Sequence, residues 1–112
     1  EESITENGIV LNAIAYIREH YMEAIGLQDV AQCCNVSPEY LSRIFKEETG
    51  VKFVDFLANF RISVGKRMLA TGNYKVSEVA EAVGFNDQKY FQKVFKKICG
   101  ISPAEYKKEN SR

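Results

Sequence analysis

Two short stretches of this chain carry side chains suited to hydrogen bonding with a nucleic acid. The first holds Glu39, Ser42, Arg43 and Lys46; the second holds Gln88, Lys89, Gln92, Lys93 and Lys96. Spacings of three and four residues place each set on one side of a helix. Arg43 suits guanine, whose O6 and N7 accept two parallel hydrogen bonds from a guanidinium. Glu39 suits the amino group of cytosine, and Ser42 is unselective. Lys46, one turn further on, points toward the phosphate backbone. In the second stretch Gln88 and Gln92 suit adenine through two hydrogen bonds each, and Lys93 suits guanine or a phosphate. Lys89 and Lys96 add positive charge for the backbone. Polar side chains on a helix are by default only a solvated face, so the elements that carry these residues decide what they are for.

Those elements occur twice. Val30-Ala31, Tyr40-Leu41-Ser42-Arg43-Ile44-Phe45-Lys46 and Gly50-Val51 return as Val79-Ala80, Tyr90-Phe91-Gln92-Lys93-Val94-Phe95-Lys96 and Gly100-Ile101. The offset is 49 residues before the turn and 50 after it, so the second copy has one extra residue in its turn. Duplication with a slip confined to a turn implies two copies of one small unit. A short helix, a turn and a second helix bearing the polar face make a helix-turn-helix, whose second helix enters the major groove N-terminal end first.

The remaining pattern is helical throughout. Residues 1–6 read as a linker stub. Val10, Ala13, Ile14, Ile17 and Tyr21 recur at helical spacing from about Asn7, and Gly26 breaks that helix. A second helix runs from Leu27 to Cys34. Ser37-Pro38 then starts a third, with serine capping free amides and proline at the first helical position. Thr49-Gly50 ends it. A long helix follows over Phe53 to Thr71, its apolar face marked by Phe53, Phe56, Leu57, Phe60, Val64, Met68 and Leu69. After Gly72-Asn73 come a short helix over Lys75 to Val83, the turn Gly84 to Asp87, a helix over Gln88 to Cys99 with Phe91, Val94, Phe95 and Ile98 inward, and a last helix from Ser102-Pro103 to about Lys108. The aromatic residues Tyr40, Phe45, Tyr90, Phe91 and Phe95 are expected in the core or at its boundary. The expected fold is all-α: about seven helices forming two homeodomain-like helix-turn-helix subdomains, 7–52 and 73–112, joined by a long central helix over 53–72.

Composition excludes other classes. No apolar run reaches the roughly 20 residues of a membrane span, and the acidic start Glu1-Glu2-Ser3 is not a signal peptide; a cytoplasmic protein is expected. His20 is the only histidine, there is no glycine-rich phosphate loop, and Cys33, Cys34 and Cys99 lie on helices without a matched base or paired spacing. Neither enzyme, metal nor cofactor is expected, and the cysteines read as small buried apolar residues. The formal net charge is zero, unusual for a nucleic-acid binder, but it divides unevenly. Residues 1–48 hold three basic and nine acidic side chains, a net −6, and residues 49–112 hold twelve basic and six acidic, a net +6.

The chain resembles the DNA-binding domain of AraC/XylS-type bacterial transcription regulators over about residues 10–108. The resemblance is strongest in Gly84-Phe85, Tyr90-Phe91-Gln92-Lys93-Val94-Phe95-Lys96-Lys97 and Gly100-Ile101-Ser102-Pro103-Ala104-Glu105-Tyr106, and it extends to Arg61, Leu69 and Val79-Ala80. Three features depart from the family pattern: Gly65 where alanine is common, Lys107 where arginine follows the signature tyrosine, and the acidic first repeat. The resemblance implies sequence-specific binding of double-stranded DNA at an asymmetric operator, with two recognition helices in successive major grooves. It also implies a sensor, receiver or dimerisation domain upstream and RNA polymerase as a further partner. The alternative is a protein-interaction module that docks RNA polymerase or another regulator with little DNA readout.

Overall fold

The computed structural model describes residues 5–111, which form seven helices: α1 (Glu6–His20), α2 (Leu27–Cys33), α3 (Pro38–Thr49), α4 (Phe53–Thr71), α5 (Val76–Ala82), α6 (Gln88–Cys99) and α7 (Pro103–Asn110). No strand occurs among the described residues. The fold is the all-α one expected from the repeat. Of the anticipated stub at 1–6, residues 1–4 lie outside the described residues. Thr5 caps α1 by accepting from the amide of Gly8 at 3.0 Å, and Glu6 is already helical.

Two compact units divide between Leu57 and Ala58, inside α4. In the first unit α1, α2 and α3 bury Val10, Ala13, Ile17, Val30, Leu41 and Phe45, with Phe53 and Leu57 at the start of α4. In the second, Ile62 and Leu69 of α4 are buried with Val79, Val83, Phe91 and Phe95. The repeat is therefore a repeat of cores. Val30 and Val79 are fully buried, as are Leu41 and its counterpart Phe91, and Phe45 and Phe95. It also continues past Val51 and Ile101: Phe45 meets Phe56 edge-on with centroids 5.2 Å apart, and Phe95 meets Tyr106 in the same way at 5.6 Å. The first turns of α4 thus do for the first unit what α7 does for the second.

Caps explain where these helices start. Asp29 Oδ2 accepts from the Gly26 amide at 2.8 Å, and Glu78 Oε1 accepts from the Lys75 amide at 2.8 Å. These are the same bond at the head of α2 and α5. Gly26 is therefore the residue before α2, and α1 has already ended at His20. Ser37 and Ser102 accept amides three residues on at 3.1 Å each, and Pro38 and Pro103 follow at the first helical position. Asp87 caps α6 by accepting from the Lys89 amide at 2.9 Å. Gly50 and Gly100 close α3 and α6 in the left-handed conformation that glycine adopts without steric cost.

Several inward expectations are corrected. Ile98, on the last turn of α6, is 42% exposed. Tyr90, expected in the core or at its boundary, is 58% exposed, with its ring 5.9 Å from that of Phe85 in the second turn. Cys33 is exposed, and Cys34 and Cys99 are half-buried, so none of the three is the fully buried apolar residue expected. All three stand at the C-terminal ends of their helices, where the core cover thins. On α4, Phe56, Phe60, Val64 and Met68 are half-buried, while Ile62, absent from the expected face, is fully buried.

Candidate nucleic-acid interface

Each unit shows the same turn. After α2 the backbone is left-handed at Asn35 (φ 60°), and the Val36 amide donates back to the Ala31 carbonyl at 3.0 Å. After α5 it is left-handed at Gly84 (φ 102°), and the Phe85 amide donates to the Ala80 carbonyl at 2.9 Å. The next residue is the cap Ser37 in the first unit, whereas in the second Asn86 intervenes before the cap Asp87. Asn86 is thus the one-residue slip, and it changes neither the left-handed residue nor the bond that closes the turn.

Burial on one side of α3 and α6 defines what the other side offers. In α3, Leu41, Ile44 and Phe45 face the core, leaving Glu39, Ser42, Arg43 and Lys46 exposed. In α6, Phe91 and Phe95 face the core, leaving Gln88, Lys89, Gln92, Lys93 and Lys96 exposed. All nine candidate residues stand on the solvent side of the second helix of a helix-turn-helix.

The two faces differ electrostatically. Arg43 Nη1 donates to Glu47 Oε1 at 3.0 Å, and its Nη2 lies 3.6 Å from Glu6 Oε2. The Glu47 carboxylate, hydrogen-bonded to it, raises the Arg43 pKa above its ordinary value. Tyr40 is also raised, by partial burial first and by the adjoining Glu6 charge second, which keeps its hydroxyl a neutral donor. On α6, by contrast, no candidate side chain takes part in a salt bridge among the described residues. Beside α3 lies a shallow groove of about 340 Å³ lined by Leu27, Ser42, Lys46, Lys52, Phe53 and Val54. It brings Lys52 next to Lys46, a neighbour that sequence reasoning missed although a basic residue two places after the closing Gly50 was visible.

Arg61, which the sequence marks only by its place in the family resemblance, has a definite setting. Half-buried on α4, it carries its guanidinium 5.7 Å from the centroid of Phe85, the turn residue that is itself nearly buried, and burial lowers its pKa. It packs against the second turn at Phe85. Among the described residues no group of His, Cys, Asp and Glu could hold a metal ion, and no helix is long and apolar enough to cross a membrane.

Two helix-turn-helix units with polar outer faces define a class, and comparison with known proteins supplies the family. A helix-turn-helix domain model matches residues 30–109. The arabinose operon regulatory protein of Salmonella typhimurium is 36% identical over 99 residues, covering 88% of this chain and 35% of that protein. The C-terminal domain of AraT, a response regulator from Geobacillus stearothermophilus, superposes with a TM-score of 0.91 at 35% identity, covering 99% of this chain and 91% of that one. The DNA-binding domain of the global transcriptional factor AdpA, solved in complex with a target DNA, superposes with a TM-score of 0.85 at 28% identity, covering 89% of this chain and 90% of that one. The chain belongs to the AraC/XylS-type family of helix-turn-helix transcription regulators. It spans about a third of the length of the curated relatives it matches.

Proposed function

We propose that this chain is the sequence-specific, double-stranded DNA-binding part of a longer cytoplasmic transcription regulator, with no catalytic activity of its own. The observation that carries the reading is the outward presentation, on the second helix of each of two helix-turn-helix units, of side chains that match base edges and phosphates. The likeness to the AdpA domain, which was solved with its target DNA, supports it. In the first unit Arg43 reads guanine, Glu39 and Ser42 add weaker base contacts, and Lys46 holds a phosphate. In the second, Gln88 and Gln92 read adenine, while Lys89, Lys93 and Lys96 supply phosphate attraction. Two units in head-to-tail order on one chain favour an asymmetric operator over a palindrome. An upstream sensor or receiver domain and RNA polymerase are the partners proposed for the longer protein; the first has support in AraT, named as a response regulator.

The test is selection of duplexes from a random pool by this chain, followed by titration at two salt concentrations. An asymmetric consensus, bound with an affinity that falls as salt rises, is expected. Absence of any consensus together with salt-independent binding would leave only the interaction-module reading.

A further inference from the structure

Arg43 is enclosed by three neighbours. Glu47 Oε1 accepts from its Nη1 at 3.0 Å, Glu6 Oε2 lies 3.6 Å from its Nη2, and the guanidinium carbon stands 5.2 Å from the centroid of the Tyr40 ring. Tyr40 closes the cluster by donating its hydroxyl to the same Glu6 Oε2 at 3.3 Å. Glu6 is the first residue of α1, and Glu47 lies one turn beyond Arg43 on α3. One helix end and one helix turn thus converge on a single cation in the middle of the proposed reading face.

The exposure of the cluster decides its purpose. The side chains of Arg43, Glu6 and Glu47 are 52%, 44% and 54% exposed, and ion pairs so open to water add little to folding. What they do is restrict motion. A free arginine explores many rotamers and turns toward the nearest phosphate, whatever the sequence. With two carboxylates beside it, the local net charge is negative and the pull of phosphate is weakened. A guanidinium has five N–H donors, so donors remain for a base edge after both carboxylates are served. The second repeat supplies the contrast. Lys93 stands where Arg43 stands and Lys97 where Glu47 stands, so a carboxylate partner is replaced by a second cation.

The geometry points to Glu6 and Glu47 as positioning residues that fix the Arg43 guanidinium for a two-hydrogen-bond contact with guanine and so set the specificity of the first recognition helix. This rests on the proposed reading of Arg43 as a base-contacting residue. Ordering the side chain before DNA arrives removes an entropy cost from the specific complex alone. The two carboxylates meanwhile repel phosphates in every complex. The first repeat therefore gives up general affinity for discrimination, and the second, whose lysines form no salt bridge among the described residues, supplies the affinity.

The experiment uses the whole chain and its selected duplex, that duplex with every single base-pair change, and an unrelated duplex. Glu6→Gln, Glu47→Gln and their double variant are expected to lower discrimination at the one pair read by Arg43 by about five-fold or more, and to leave discrimination at other pairs unchanged. They should tighten binding to the unrelated duplex and scarcely move thermal unfolding. A purely structural role for the carboxylates would move the unfolding curve and every pair alike. Tyr40→Phe keeps the ring but removes the bond to Glu6, and should lower discrimination at the same pair by less. Unchanged or sharper discrimination in the double variant overturns the proposal, since the carboxylates would then be idle or masking. If Arg43→Ala leaves every base-pair preference intact, the base reading of Arg43 fails and the positioning role with it. If Arg43→Ala relaxes one pair and the glutamate variants do not, only the positioning role fails.

Discussion

Asn35 and Gly84 occupy the same place in the two turns, and both turn the backbone left-handed, but by different amounts. At Asn35 φ is 60°, inside the small region open to ordinary residues, whereas at Gly84 it is 102°, outside it. The residue type at each place follows from its φ: asparagine tolerates the first, and the second calls for glycine.

Exchange experiments should therefore be asymmetric. Asn35→Gly is expected to shift stability by only a few tenths of a kcal/mol, because asparagine already tolerates its conformation. Gly84→Asn forces a side chain into a conformation reserved for glycine and should cost about 1 to 2 kcal/mol. Urea unfolding followed by circular dichroism measures both. Equal costs at the two positions would mean that the turn around Gly84 readjusts freely.

Much of this architecture was visible in the chain because the repeat preserved both residue types and spacing: the paired valine-alanine steps and the closing glycines each reappear as geometry. What escaped did so for identifiable reasons. Ile62 was missed because α4 gives its first turns to one unit and the rest to the other, so no single apolar stripe describes it. Ile98 was assigned inward by its spacing from Phe95, although its counterpart in the first repeat, Glu48, is a charged residue that faces water. The pairing of Arg43 with Glu47 is local at four residues and could be read. Its pairing with Glu6 joins residues 37 apart, and nothing in the sequence announces it.

Gly65 is buried on α4 where a Cβ would stand 3.3 Å from Val79 Cγ1 and 3.6 Å from two ring carbons of Phe91. The first contact is tight by a few tenths of an ångström and the others are ordinary. Alanine should recover about 1 kcal/mol of helix propensity and lose a comparable amount to repacking of the fully buried Val79. Gly65→Ala is expected within about 1 kcal/mol of the parent, and Gly65→Val at a loss of more than about 2 kcal/mol. Thermal unfolding that ranks valine above alanine would refute the close packing.

The three thiols should be distinguishable by alkylation. Cys33 is exposed, whereas Cys34 and Cys99 are half-buried, and burial is the first cause that raises the pKa of each above the ordinary thiol value. A raised pKa means less thiolate at a given pH, and only the thiolate reacts. At pH 8 iodoacetamide is expected to label Cys33 first. Labelling of Cys34 and Cys99 should continue to accelerate as pH rises through and beyond 9.0, the unshifted thiol value. Peptide mass mapping over a pH series reads this, and faster labelling of Cys99 than of Cys33 at pH 8 would contradict it.

The division of charge leads to the last prediction. Residues 1–48 carry a net −6 and residues 49–112 a net +6, and among the described residues the exposed lysines of α6 form no salt bridge, whereas the arginine of α3 is held by two carboxylates. Counterion release from DNA should therefore come mainly from the second repeat. Each lysine that contacts a phosphate steepens the dependence of log affinity on log salt by about 0.9. Lys93→Ala and Lys96→Ala together should lower that slope by about 2 and weaken binding to every duplex alike. Lys46→Ala, whose positive charge sits in an acidic surrounding with Glu47 and Glu48 next along the chain, should lower it by well under the roughly 0.9 of one full phosphate contact. The comparison is made by fluorescence anisotropy at several salt concentrations on the selected and an unrelated duplex. An equal change in slope per lysine on the two sides would show that the first repeat grips the backbone as firmly as the second despite its charge.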